Sequence, residues 1–381
     1  MKISMTATLG LTLGTLCFLS VPEAAAQAEL PPGESRVIVE STCTACHDSG
    51  VVTSKGGTRE EWATTIQNMI GYGATLDEAS VEPLIDYLAT NFGPVAEGEV
   101  ADASLPPANP DYEVDMAWTE LPEGMTWDAS TSSLAADGDG QVVVLVRTAP
   151  YFRVFTRDGE FVRAWGDDPD LFELAHSLMF DGEGFLWATD SNGHAVHKFS
   201  AEGELLMTLG RRGEAGDNSS RDLFNRPNAT AIAPNGDIYV SDGYINSRIV
   251  HFNRDGEFIR IIGGEIGEGP GQLTLPHGVV VDSNGRIIVG DSENQRISVF
   301  DADGNFVETW PVPSRGGMAI DENDTVYVSD VNANAVYVVR DGEVLDVIGG
   351  LGRAHGLSLD SDGTIYASDS ANRQVMKIER R

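Results

Sequence analysis

From about residue 131 onward, short apolar runs alternate with clusters of Gly, Asp and Asn, and the alternation itself recurs at roughly 40-residue spacing. The recurring stretches are SSLAADGDGQVVVLVR, HSLMFDGEGFLWATD, NATAIAPNGDIYVSD, HGVVVDSNGRIIVGD, GMAIDENDTVYVSD and HGLSLDSDGTIYASD. Each predicts a strand, a tight turn and a second strand that ends near an acidic residue, followed by a third strand and mostly a fourth, such as GEFIRIIGG. Six four-stranded units repeated about an axis predict a six-bladed β-propeller over residues 111–381. The sixth unit runs out at KIERR without its fourth strand. DYEVDMAWTEL, residues 111–121, is strand-like and could supply it, closing the ring and removing an exposed edge. Turns such as DADGN and DSDGT begin like calcium loops but lack the downstream glutamate, so they read as hairpin turns.

Ahead of the repeats the periodicity changes. In TREEWATTIQNMI, Trp62, Ile66 and Met69 fall at helical spacing behind Thr58 as a candidate cap, and SVEPLIDYLATNF predicts a further helix. Residues 95–110, rich in Pro, Ala and acidic residues, read as an extended linker. The first residues combine a lysine, an apolar run from Leu9 to Val21 and small residues at Ala24, Ala25 and Ala26. That pattern predicts a signal peptide over residues 1–26 and a periplasmic or secreted protein with no membrane span in the mature chain.

Lys plus Arg total 25 against 59 for Asp plus Glu, a formal charge of −34. Such a chain repels nucleic acid and anionic membrane surfaces. The expected partners are instead a small-molecule or peptide substrate and a soluble electron-transfer protein.

The electron-transfer expectation rests on Cys43-Thr-Ala-Cys46-His47, the spacing of covalent haem c attachment, in which two thiols meet the porphyrin vinyl groups and the adjacent imidazole meets the iron. By elimination Met69 is the candidate for the opposite axial position. Residues 33–94 resemble short cytochrome c domains, which implies one-electron transfer. The fold class expected is therefore two-domain: a small all-α cytochrome c domain followed by an all-β propeller.

Aligning the repeats on the residue that ends the second strand gives Asp190, Asp242, Asp291, Asp330 and Asp369, with Arg147 in the first blade. Fourteen residues upstream stand His176, Asn228, His277, Gly316 and His355, with Ser133 in the first blade. Histidines on alternate blades of a six-bladed ring converge on its axis, the three-ligand arrangement of a catalytic zinc site, which copper or iron would also accept. His194, His197 and His251 fall outside this register. Near the same level Arg147 offers a cation for an anionic substrate, and Tyr244 offers a phenol that beside a metal can act as a base.

The unit pattern looks like NHL repeats, with the signature drifted to forms such as Asn294-Gln295-Arg296-Ile297. Through VSDGYINSRIVHF, LPHGVVVD, the blade containing LAHSLMFD, and HGLSLDSDGTIYASD, most of residues 130–381 is similar to the lyase domain of the peptide-amidating enzymes, peptidyl-α-hydroxyglycine α-amidating lyase. The resemblance implies zinc on His176, His277 and His355, Tyr244 as base on the substrate hydroxyl, Arg147 facing the substrate, and cleavage to an amide and glyoxylate. Arg353 stands where that family has a Met, Gly356 where it has the Asp of a structural calcium, and Ser292 near its second active-site arginine. Two functions follow as expectations: amidating-lyase-like cleavage with electron transfer by the haem domain, or a metal-dependent dehydrogenase passing electrons to its own haem. A third, a docking platform, accounts for the repeats but not for the alternate-blade histidines.

Overall fold

The computed structural model describes residues 30–33, 35–43, 57–71, 76–93, 105–127, 129–370 and 372–381. The signal-peptide reading of residues 1–26 lies outside them. The chain divides into two units, Met1–Val100 and Ala101–Arg381.

In the first unit, α1 (Arg36–Thr42), α2 (Arg59–Gly71) and α3 (Glu78–Asn91) are the described elements. The Asp77 carboxylate caps α3 by accepting from the Ser80 N–H at 2.9 Å. Val39, Trp62, Ile66, Leu84, Ile85 and Leu88 pack into one apolar cluster, and the Trp62 indole N–H donates to the Phe92 carbonyl at 2.8 Å. This corrects the expected cytochrome c domain over residues 33–94. The interior described there is filled by its own side chains, with Cys43 packed against the cluster at the end of α1 and Met69 half-buried on α2. Cys46 and His47 lie outside the described residues. The fold the chain builds is an all-β propeller, and among the described residues helix is confined to these three short segments. No described helix is long and apolar enough to cross a membrane.

The second unit is six four-stranded antiparallel sheets. Burial within each sheet follows the apolar pattern of its strands. Second strands such as Leu186–Asp190 and Ile287–Asp291 are buried at every position, because sheets pack on both of their faces. Fourth strands such as Phe306–Trp310 are largely exposed. Each Val, Ile or Leu so enclosed contributes about 1.5–3 kcal/mol, so inter-blade clusters such as Val280, Ile288, Ile297, Val299 and Val326 hold the ring together. Phe152 stacks on Trp165 of its own blade at 3.8 Å and meets Phe199 of blade two edge-on.

The sheet that contains the C terminus takes its outer strand from the other end of the unit. Tyr112–Asp115 pairs antiparallel with Gln374–Arg380, Val114 opposite Ile378. Tyr112 reinforces the join, its hydroxyl donating to Asp346 at 3.2 Å.

Candidate metal centre

The first strands of the six blades line the axis, and three of them carry the histidines: Ala175–Phe180 in blade two, Pro276–Val281 in blade four and Ala354–Leu359 in blade six. The approach to each strand is fixed by the aspartate that ends its neighbour in the same sheet. Asp190 accepts from the Leu174 N–H at 2.8 Å, Asp291 from Thr274 at 2.7 Å and Asp369 from Arg353 at 3.2 Å. At each histidine the pairing then slips: between Ala175 and Ser177, between Pro276 and Val279, and between Ala354 and Gly356. Such a bulge turns one side chain away from the pleat. Here it turns an imidazole toward the axis.

The same pairing corrects the register of blade one. Thr131 lies opposite Val146, as Ala175 lies opposite Asp190, so Val146 holds the acidic column and Ser132, not Ser133, is the counterpart of the histidines. Arg147 is one residue further on, where its N–H donates to the Ser130 carbonyl just as Ser191 donates to Leu174. The axial ring therefore reads Ser132, His176, Asn228, His277, Gly316, His355. Each histidine is anchored by the next member of that ring. Its Nδ1–H donates to a main-chain carbonyl: His176 to Asn228 at 2.7 Å, His277 to Gly316 at 3.1 Å and His355 to Ser132 at 2.9 Å. A carbonyl only accepts, so Nδ1 carries the proton and Nε2 presents a lone pair.

The imidazole centroids form a near-equilateral triangle of 5.1, 5.0 and 5.2 Å, and one nitrogen from each ring lies within 4.8 Å of the others. Burial, followed by the neighbouring imidazoles and Arg147, holds His176 well below its usual titration range. Burial likewise lowers His277 to about 3 and His355 to about 4. All three are neutral at pH 7, the state a metal ligand requires. Among the described residues the Nε2 atoms of His277 and His355 have no hydrogen-bond partner, and Nε2 of His176 has only the Tyr244 hydroxyl, at 2.8 Å. Three neutral imidazoles with oriented Nδ1–H groups and converging lone pairs fit a divalent ion, zinc foremost, with copper or iron also compatible.

Tyr244 stands perpendicular to His176 and His277, with ring centroids 5.3 and 5.8 Å away. Gly243 brings it there, since a Cβ on residue 243 would lie 1.8 Å from the Pro276 carbonyl oxygen. The Arg226 guanidinium lies 5.4 Å from the Tyr244 ring centroid, a contact the sequence did not suggest. Arg147 Nε donates to the Ala175 carbonyl at 3.4 Å, which sets the guanidinium beside the His176 strand. The other described histidines hold structural hydrogen bonds. His197 bonds Thr208 at 3.0 Å, His251 bonds Asp237 at 3.0 Å, and His194 Nδ1 accepts from the Arg226 N–H at 3.0 Å. A cavity of about 310 Å³ is lined by the three histidines and Asn228, together with first-strand residues such as Leu178 and Met318.

The NHL repeat family matches residues 224–252 and 273–300. NHL repeat-containing protein 3 of Homo sapiens is 36% identical over 212 residues, 52% of this chain and 59% of its own length. The chain thus spans about three-fifths of that relative. The "Probable peptidyl-alpha-hydroxyglycine alpha-amidating lyase pgal-1" of Caenorhabditis elegans is 28% identical over 244 residues, 59% of this chain and 69% of its own. A solved streptogramin B lyase superposes with a TM-score of 0.51 at 14% identity, covering 71% of this chain and 98% of that one, a likeness of fold alone.

These similarities are to NHL-repeat proteins and lyases, and none of these relatives is named as a cytochrome c. The haem c reading rested on the Cys43–His47 motif, with Met69 as the axial candidate and a resemblance of residues 33–94 to short cytochrome c domains, and a short motif needs a confirming fold around it. Neither the described structure nor these relatives supply one. Haem c, Met69 as its ligand, electron transfer with its soluble partner, and the haem-coupled dehydrogenase are withdrawn together.

Proposed function

We propose that this chain is a metal-dependent lyase that cleaves the N–C bond of an α-hydroxyglycine-type substrate, peptidyl or small, with His176, His277 and His355 holding a divalent ion. The observation that carries the reading is the triangle of anchored, neutral imidazoles with a phenol hydroxyl at its edge. Similarity to an amidating lyase over 59% of the chain supports the class of reaction. A bound ion supplies Lewis acidity toward the substrate hydroxyl.

The protein's own groups do the rest. Tyr244, as the phenolate that a neighbouring divalent ion would favour, takes the hydroxyl proton, and the oxygen electrons form the carbonyl of glyoxylate as the C–N bond breaks. The bonding pair goes to nitrogen, which takes up a proton and leaves as the amide. Carbon keeps its electron count overall, so no oxidant or electron acceptor enters. Arg147 meets the substrate carboxylate, a charge-assisted contact in a chain whose net charge of −34 otherwise repels anions.

The test is glyoxylate release from N-benzoyl-α-hydroxyglycine by zinc-loaded protein, with metal content measured in parallel. His277→Ala is expected to lose both zinc and cleavage. Zinc-replete wild-type protein that releases no glyoxylate from α-hydroxyglycine compounds defeats the reading.

A further inference from the structure

Of the six residues in the axial ring, three are histidines and the other three supply the carbonyls that anchor them. Those three differ in what their side chains have left to offer. Gly316 has none, and a Cβ there would lie 2.8 Å from Ser329 Oγ. Ser132 is fully buried and its hydroxyl donates to the Leu145 carbonyl at 3.3 Å. Asn228 is equally buried, but only part of its amide is engaged. Its Oδ1 accepts from the Gly243 N–H at 2.9 Å, which fixes the orientation of the amide, while Nδ2 finds no acceptor. An amide donor shut away from water without a partner costs stability, and Asn228 is among the residues that line the axial cavity, so a ligand oxygen that reached Nδ2 would remove that cost.

The position of that donor is specific. Asn228 stands between His176 and His277 in the ring, and its main chain holds the first while its side chain holds the residue before Tyr244. Tyr244 in turn faces these same two histidines. The donor, the phenol and two lone pairs therefore share one sector of the site, on the side of blade three.

Resting on the lyase reading, we infer that Asn228 Nδ2 donates to the α-hydroxyl oxygen of the substrate, the atom that gains negative charge as Tyr244 removes its proton. A donor already in place for developing charge requires no reorganisation during the reaction. Asn228 also acts through Oδ1 as a positioning residue for Tyr244, so a single substitution to Ala removes two functions. Asn228→Asp separates them, because it keeps the acceptor for Gly243 and loses the donor.

The experiment compares two probes of equal charge, glycolate and acetate, which differ by that hydroxyl. Their dissociation constants are measured by calorimetry on zinc-loaded wild type, Asn228→Asp and Asn228→Ala, with zinc content and melting midpoint recorded for each. Wild type is expected to prefer glycolate, and the preference is expected to fall about tenfold or more in either variant at unchanged zinc content. A general loosening or an added charge shifts both constants together and leaves their ratio alone. A ratio that survives in Asn228→Asp overturns the inference and leaves a buried water as the occupant of Nδ2. Wild type that does not distinguish the probes overturns it as well. If Asn228→Ala does not fold, Asn228→Asp decides alone; if neither variant folds, wild-type preference for N-benzoyl-α-hydroxyglycine over N-benzoylglycine decides, its absence counting against the donor. The two proposals fail separately. No glyoxylate release with a collapsing ratio sinks the lyase and keeps the donor, whereas intact release with an unmoved ratio does the reverse.

Discussion

Replacing Tyr244 by Phe should tighten metal binding while it abolishes cleavage. The Tyr244 hydroxyl donates to Nε2 of His176 at 2.8 Å, and that lone pair is one of the three an ion needs. Binding at His176 must therefore break this hydrogen bond. A buried neutral hydrogen bond contributes a net 0.5–1.5 kcal/mol, about 2- to 10-fold in an equilibrium constant. Phe leaves the perpendicular ring contacts with His176 and His277 in place and removes only the competitor. Zinc titration against a chromophoric chelator at fixed pH should accordingly show Tyr244→Phe binding about 2- to 10-fold more tightly than wild type. Glyoxylate release by the zinc-loaded variant should fall by roughly 10²- to 10⁴-fold, the usual contribution of a general base. Zinc bound tenfold more weakly by Tyr244→Phe would refute the argument, since the phenol would then be supporting the ion rather than competing with it.

Acid should destabilise the metal-free protein through the same three imidazoles. Burial holds His277 to about 3 and His355 to about 4, below the ordinary 6.5, so between pH 6.5 and about 4 the unfolded chain binds protons that the folded chain does not. Stability is thus lost as pH falls through that window, and a denaturant titration series should show a steeper loss in wild type than in His277→Asn. Gly243→Ala should cost about 1–3 kcal/mol by overpacking, because the added Cβ meets the Pro276 carbonyl, and in thermal melts plus metal analysis it should keep zinc yet lose cleavage. Val114→Pro breaks the pairing opposite Ile378 and should lower the calorimetric melting midpoint, whereas Val162→Pro on an already exposed outer strand should lower it less.

The blades were legible because each hairpin announces itself twice, by an apolar run and by a turn rich in Asp, Asn or Gly at a fixed offset. The histidine column was legible for the same reason: His176, His277 and His355 stand at one distance from Asp190, Asp291 and Asp369. Spacing alone could not reveal the bulge beneath each histidine, since an irregularity shared by all three histidine-bearing blades leaves their common interval unchanged. It also misplaced blade one by a residue. Arg147 was aligned with the aspartates, but the pairing of Thr131 with Val146 puts an apolar residue in that column and frees the arginine for the site. The anchoring carbonyls of Asn228, Gly316 and Ser132 left no trace in residue type because they are main-chain atoms. Cys43-Thr-Ala-Cys46-His47 misled by the opposite route, as a strong local pattern with no long-range structure to test it.

The bond from His355 to Ser132 joins residues 223 apart in sequence, while His176 and His277 are anchored across 52 and 39 residues. Two corners of the triangle can thus be set by adjacent blades, but the third exists only after the two ends of the propeller have met. A chain still emerging from synthesis would offer two oriented imidazoles and an unanchored third. An ion that demands all three then favours the closed ring by mass action, and its binding works as a seal on finished folding. Metal uptake and ring closure become one cooperative event, in which a weakened clasp between Tyr112–Asp115 and Gln374–Arg380 is felt at the axis as lost affinity.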